Sequence, residues 1–208
     1  VNDLIRPATR ADLSGIMAVE QSWPPPARAT ADKFLARLER FPEGFHVLER
    51  DGALVATITA CPCRYDPGAP DRFRNWNQVT NAGRLREVGE TSECNALYIV
   101  SGVIIESARG GDVFERMIGA EVETARRLGL VWVLAGAVIP GYAGYCRRHG
   151  EVPAADYVFL RRGGRPLDPL LAMYERIGFH VPDRAHVRPD YFPDLASLNY
   201  AALVVRPL

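Results

Sequence analysis

The sequence predicts an α/β fold: one domain over residues 1–208, with a mixed central sheet of about seven strands flanked by helices. Three observations carry this expectation. The apolar, β-branched run Ala96–Ile105 passes through a glycine turn into an amphipathic helix that opens at about Asp112 and reaches Leu128. A second apolar run, Phe45–Glu49, turns at Asp51-Gly52 into Ala53–Cys61, the local signature of a β-hairpin. Strand-like and helix-like patterns then alternate to the C-terminus, with no internal repeat and no low-complexity linker.

Taken in order, Leu4–Ala8 reads as the first strand. Thr9 stands at an N-cap position with Asp12 three residues on, and the helix it starts carries Leu13, Ile16, Met17 and Val19. Pro24-Pro25-Pro26 ends that helix. Thr30 opens a second helix whose buried face is Phe34, Leu35, Leu38 and Phe41. After the hairpin, Pro62 to Glu93 is polar and rich in Pro and Gly, a loop of the length that faces a ligand. The central helix has Val113, Phe114, Met117, Ile118, Val122, Ala125 and Leu128 on one face, and Gly129 stops it. Leu130–Val138 is a further buried strand. Residues 139–165 read as an insertion with a short helix near Ala154–Leu160. Asp168-Pro169 opens the last helix, with Leu170, Leu171, Met173, Tyr174 and Ile177 apolar and Gly178 at its end. Phe179-His180-Val181 begins a strand and Asn199–Val205 is the last one.

Lys+Arg and Asp+Glu both number 25, so no bulk charge draws the chain to nucleic acid or to an anionic membrane. All but one of the basic residues are Arg, the exception being Lys33. Cys61, Cys63, Cys94 and Cys146 follow no zinc-ligand spacing, so no metal is expected. Four scattered thiols suit structural positions in a reducing, cytoplasmic setting, and no apolar run is long enough to span a bilayer.

The strand–turn–helix at 96–130 has chemical meaning. A helix N-terminus presents N–H groups and a partial positive charge, which suits a phosphate. Gly110 and Gly111 let the backbone approach such a ligand closely, and Arg109 adds charge. The same pattern also serves as an ordinary strand–helix connection, so it does not decide the function alone.

The order of several motifs resembles the GCN5-related N-acetyltransferase superfamily. Leu4-Ile5-Arg6-Pro7-Ala8-Thr9 with Asp12-Leu13 is similar to the opening of that fold, and Arg109-Gly110-Gly111 to its acyl-CoA pyrophosphate loop. Ala125-Arg126-Arg127-Leu128-Gly129-Leu130 is similar to the end of its long helix, and Met173-Tyr174-Glu175-Arg176-Ile177-Gly178-Phe179 to its late Tyr-Glu-x-x-Gly-Phe signature. Ser22-Trp23-Pro24, Arg40–Gly44, Ala155–Val158, Leu167-Asp168-Pro169 and the tail Pro189–Ala201 resemble the acyltransferase-like domains of polyketide synthase loading modules. They also resemble the acetyltransferase domain fused to some carbon–nitrogen hydrolases.

The resemblance implies a mostly antiparallel sheet and transfer of an acyl group from acyl-CoA, or from acyl-phosphopantetheine on an acyl carrier protein, to a small-molecule amine. The enzyme would act as a monomer or homodimer. Donor contacts fall on Val103, Ile104, Ile105, Arg109, Gly110, Gly111, Asp112 and Val113, and substrate contacts on Trp23, Tyr98, Ser101, Tyr142 and Tyr145. Tyr174 is the expected acid, because a phenol near pKa 10 stays protonated where a thiol near 8.5 leaves. The base stays open among Glu20, Glu93, His180, Tyr98 and water. Two departures stand out. Asp112 occupies a place where the family has a small residue, and its charge opposes a pyrophosphate. The decarboxylating loading domains use a His and a Thr where this chain has Tyr174 and Val138, which favours plain acyl transfer over decarboxylation or S-acylation of a carrier. A non-catalytic domain that binds a carrier is the remaining alternative.

Overall fold

A computed structural model describes residues 2–86 and 93–208. In chain order its elements are β1 (Asp3–Pro7), α1 (Leu13–Glu20), α2 (Ala31–Arg40), β2 (Phe45–Arg50), β3 (Ala53–Cys63), α3 (Trp76–Thr80), β4 (Ala96–Ile104) and α4 (Val113–Arg127). There follow β5 (Trp132–Val138), α5 (Tyr142–His149), α6 (Ala154–Tyr157), β6 (Arg161–Arg162), β7 (Arg165–Pro166), α7 (Pro169–Arg176), β8 (Val187–Arg188) and β9 (Ala201–Pro207). Seven strands, the number the sequence leads one to expect, make one sheet in the order β1-β2-β3-β4-β5-β9-β8, and β6–β7 is a separate small hairpin. The pairs β1–β2, β2–β3, β3–β4 and β8–β9 are antiparallel. By backbone packing the chain falls into two compact units: residues 1–64, 80–133 and 208, and residues 65–79 and 134–207.

The first unit is built on β1–β4. Asp51 and Gly52 both take positive φ, the geometry of a two-residue hairpin turn, and so set the β2–β3 register. The core on this sheet is Ala8, Ile16, Ala29, Phe34, Leu38, Phe45 and Val47, with Leu13, Met17 and Leu54 packed against it. Asp12 accepts from the Thr9 N–H and hydroxyl, each at 2.8 Å, and so closes the single 3₁₀ turn that precedes α1. Gly129, with φ +69, ends α4 in the left-handed conformation that terminates helices. Leu128 lies past the helix end and is exposed rather than on the buried face. Inside α4, Glu121 is fully buried and pairs with His46 at 2.9 Å.

The second unit holds most of the departures from expectation. The stretch from Pro62 to Glu93 is not all loop: β3 continues through Cys63, Pro70–Arg72 form a 3₁₀ turn, and Trp76–Thr80 form α3. Residues 87–92 of that stretch, Gly89 included, lie outside the described residues. The segment 139–165 contains α5, which its three glycines at 141, 144 and 150 hid from a propensity reading. Phe179–Val181 does not start a strand. Only the bridge His180–Val205 forms, because Pro182 has no N–H to continue a ladder. The last strand begins at Ala201, since Leu198 and Asn199 have left-handed φ and cannot be extended.

Candidate active site

The glycine turn ahead of α4 is open. Gly110 (φ +99) and Gly111 (φ +57) are exposed, and a Cβ added at either would meet nothing within 4 Å. Both conformations are ones that L side chains rarely adopt, so glycine is required here by the backbone. Among the described residues, the N–H groups of Gly110, Gly111, Asp112 and Val113 donate to no protein acceptor. Asp112 stands at the N-cap position yet its side chain caps nothing. It points to solvent, 3.9 Å from Arg116. Arg109 is exposed and its Nε donates to the Ile104 carbonyl at 3.2 Å, which folds it back against the end of β4. Four unclaimed N–H groups at a helix N-terminus, beside an arginine, form a cradle for an anion.

β4 leads into this turn and carries a β-bulge. Thr59 opposes Ser101 and Ala60 opposes Ile99, so Val100 is the extra residue. A bulge bends its strand and interrupts the ladder. Val103 is buried, while Ile104 and Ile105 are half-buried. Tyr98 is fully buried in front of the bulge.

Just behind the bulge, the Ser101 hydroxyl joins a buried polar network that sequence reasoning missed. Arg37 on α2 is 1% exposed. Its Nε donates to the Gly83 carbonyl at 2.8 Å, and its Nη1 donates to Thr59 Oγ1 at 3.1 Å and Ser101 Oγ at 3.0 Å. The guanidinium carbon lies 4.9 Å from the Phe34 ring centroid. Among the described residues no carboxylate lies within ion-pair distance, and burial draws the Arg37 pKa down to about 10. Helical spacing was the available signal: residue 37 sits between 34 and 41 on the apolar face of α2, where a charge is out of place.

The candidate bases differ sharply. Glu20 is 4% exposed, its Oε1 accepts from the Ala29 N–H at 2.6 Å, and burial raises its pKa, which makes it a better proton acceptor. His180 is exposed and bridges Val205 through its backbone alone. Glu93 is exposed. Trp23 is half-buried in the turn after α1, where Arg28 Nε donates to its carbonyl at 2.7 Å.

In the second unit, Tyr174 on α7 is buried, with its ring 5.3 Å from Phe179 in an edge-on contact. Burial alone pushes its phenol well above the ordinary range, so it remains protonated at neutral pH. α7 starts firmly: Asp168 accepts from Leu170 N–H at 3.0 Å, Leu171 N–H at 3.2 Å, Gly141 N–H at 2.9 Å and Tyr157 hydroxyl at 3.2 Å. Tyr142 is 6% exposed and its hydroxyl donates to the Val152 carbonyl at 2.6 Å, so that group serves packing. Tyr145 is half-buried and makes tilted ring contacts with His149 at 4.5 Å and Tyr157 at 5.4 Å. Asp183, His186 and Tyr65 form a second relay, buried at His186 and Tyr65 and exposed at Asp183, with bonds of 2.7 and 2.9 Å, that the sequence did not suggest.

Among the described residues no group of three or more His, Cys, Asp or Glu could hold a metal, and none of Cys61, Cys63, Cys94 and Cys146 is in a disulfide. No helix of the described residues is long and apolar enough to cross a membrane.

No family model matches the chain. It is 28% identical over 205 residues to YkwB, an uncharacterised N-acetyltransferase of Bacillus subtilis, across 96% of this chain and 86% of that protein. It is 26% identical over 174 residues to YhcX, a probable hydrolase of the same organism, across 83% of this chain but 32% of that protein, so it spans about a third of that relative. Among solved structures, the loading GNATL domain of CurA from Lyngbya majuscula superposes with a TM-score of 0.82 at 19% identity, covering 100% of this chain and 98% of that one. The GphF GNAT-like decarboxylase, solved in complex with isobutyryl-CoA, superposes with a TM-score of 0.79 at 24% identity over 98% of each chain. The chain therefore has the fold of the GCN5-related N-acetyltransferases, and its resemblance to loading-module domains of that fold is supported.

Proposed function

From a chain with the acetyltransferase fold, we propose an acyltransferase that moves an acyl group from a pantetheine thioester, on CoA or on a carrier protein, to a small-molecule amine. The observation that carries this reading is the cradle of four unclaimed N–H groups at Gly110–Val113, which fits the diphosphate of CoA or the phosphate of a carrier's arm. The arm then runs along β4 past Val103, Ile104 and Ile105; the Ile105 N–H and carbonyl are already paired with Val55 and Ala108, each at 3.0 Å, so Ile105 meets the arm through its side chain. Arg109 contributes charge to the phosphate end.

The amine nitrogen attacks the thioester carbon, a C–N bond forms, and the C=O electron pair moves onto oxygen. Collapse of that intermediate breaks the C–S bond, and Tyr174 gives the departing thiolate its proton. The proton released by the amine passes to Glu20, His180, Tyr98 or water and restores the phenol by way of solvent. Trp23, Tyr98, Ser101 and Tyr145 are assigned to the acyl and acceptor side. Tyr142 shapes that side through packing only.

The test is direct. The purified chain is incubated with acetyl-, isobutyryl- and malonyl-CoA, and with the same groups on a carrier protein, against a panel of amines, and products are read by mass spectrometry. An acylated amine is expected; none from any donor overturns the reading. Tyr174→Phe keeps the ring against Phe179 and is expected to lower kcat about 10²-fold with little change in KM. Because burial raises the phenol, wild-type kcat should not decline on the alkaline side below about pH 10.

A further inference from the structure

We propose that the Ser101 hydroxyl, aimed by Thr59 and Arg37, donates a hydrogen bond to the thioester carbonyl oxygen of the donor and stabilises the oxyanion formed on it. The inference rests on the acyltransferase reading above.

The argument is one of hydrogen-bond direction. Arg37 Nη1 has two N–H groups, one for Thr59 Oγ1 and one for Ser101 Oγ. The two hydroxyls are 3.0 Å apart, so one donates to the other. Thr59 is 1% exposed, and among the described residues its hydroxyl has no further acceptor. Were Ser101 to donate to Thr59, the Thr59 O–H would be a buried donor with nothing to bond, which is costly. The satisfied arrangement is therefore Thr59 O–H into Ser101 Oγ. Ser101 then accepts twice, once from a cation, and its own proton must turn away from the network. Ser101 is half-buried, and among the described residues no protein acceptor takes that proton.

A hydroxyl that accepts from a buried guanidinium is a stronger donor than a free serine. The charge behind it is buried from water and makes no direct ion pair among the described residues, although Glu20 acts on it at longer range, and the hydroxyl's orientation is set before any ligand arrives. Position along β4 selects the ligand atom. Val103–Ile105, which the pantetheine arm passes in this reading, lie roughly 7 to 13 Å along the strand from Ser101 toward the phosphate cradle, so Ser101 stands on the side away from that cradle. That is the thioester end of the arm. Ser101 is thus a catalytic residue, and Thr59 and Arg37 are positioning residues that act through it.

The experiment uses the full chain and acetyl-CoA labelled with carbon-13 at the thioester carbonyl. The infrared band of the bound carbonyl should lie at lower frequency in wild type than in Ser101→Ala. With an amine accepted by wild type, Ser101→Ala should lower kcat about 10²-fold and leave the acetyl-CoA KM within about twofold. Thr59→Val, which removes the donor behind Ser101, should lower kcat about tenfold, and Thr59→Ser should restore it. A merely structural threonine would not yield that rescue alongside a moved carbonyl band. An unchanged band and unchanged kcat in Ser101→Ala, with wild type active, overturn the proposal and leave the acyltransferase reading intact. A wild type that binds acetyl-CoA yet acylates no amine overturns the reading, and the band comparison still decides whether Ser101 touches the carbonyl. Acetyl-CoA that does not bind at all removes both.

Discussion

The N-termini of α7 and α4 both carry an aspartate at the N-cap position, and they are built in opposite ways. At α7, Asp168 is 1% exposed and takes three backbone N–H groups and a phenol. At α4, Asp112 is two-thirds exposed and caps nothing, while four N–H groups in a row stay unclaimed. The same residue type at the same helical position serves structure in one place and leaves polar groups open in the other. The difference lies in what surrounds it. Gly141 and Tyr157 converge on Asp168, whereas Gly110 and Gly111 remove every side chain that could converge on the start of α4.

The contrast can be broken from either side. Asp168→Ala leaves four donors without their acceptor in a buried setting, and about 3 kcal/mol of stability should be lost, read as a lower urea midpoint at unchanged m-value. Asp168→Asn keeps one acceptor oxygen and should lose less. A loss below about 0.5 kcal/mol for Asp168→Ala would mean that water replaces the carboxylate and that α7 is not anchored there. At the open terminus the effect should fall on ligand binding. Gly110→Ala puts a Cβ into the cradle at a strained φ, and the KM for acyl-CoA should rise about tenfold or more, with about 1 kcal/mol of stability lost. Equal donor affinity in that variant would move the phosphate elsewhere. The smallest change sharpens the comparison most. Asp112→Ser removes a negative charge beside the cradle and keeps a good N-cap residue, so CoA should bind a few-fold tighter, by calorimetry, with the gain shrinking at high salt. Unaltered affinity would show that the aspartate faces away from the bound phosphate.

The regions that sequence reading reached are those governed by near neighbours in the chain. Asp51-Gly52, Asp168-Pro169, Gly129 and Gly178 each punctuate the chain through their own backbone preferences, and the hairpin and the helix ends fall where those preferences put them. The glycine turn at 110–111 was legible for the same reason. Less accessible were features that depend on a distant partner. Arg37 stands out only as a charge on the apolar face of α2, and its partners are unknown until Thr59 and Ser101, from two strands, close around it. Glu121 falls within the apolar face of α4, where its partner cannot be read from spacing; it meets His46 from β2, and one of its oxygens has no partner among the described residues. The short strand β8 is two residues long, too short for any periodicity to register.

The amino-acid sequence alone determined most of the long elements, the hairpin, the open glycine turn and the phenol on α7, because turns, caps and amphipathic stripes are written in residues a few positions apart. The tertiary structure alone decided that Val100 is bulged out of β4, that a guanidinium lies buried behind Ser101, and which way that hydroxyl must donate. Those outcomes depend on strand register and on counting every donor and acceptor around a closed-off space, and residues separated by dozens of positions enter that count only after the chain has folded.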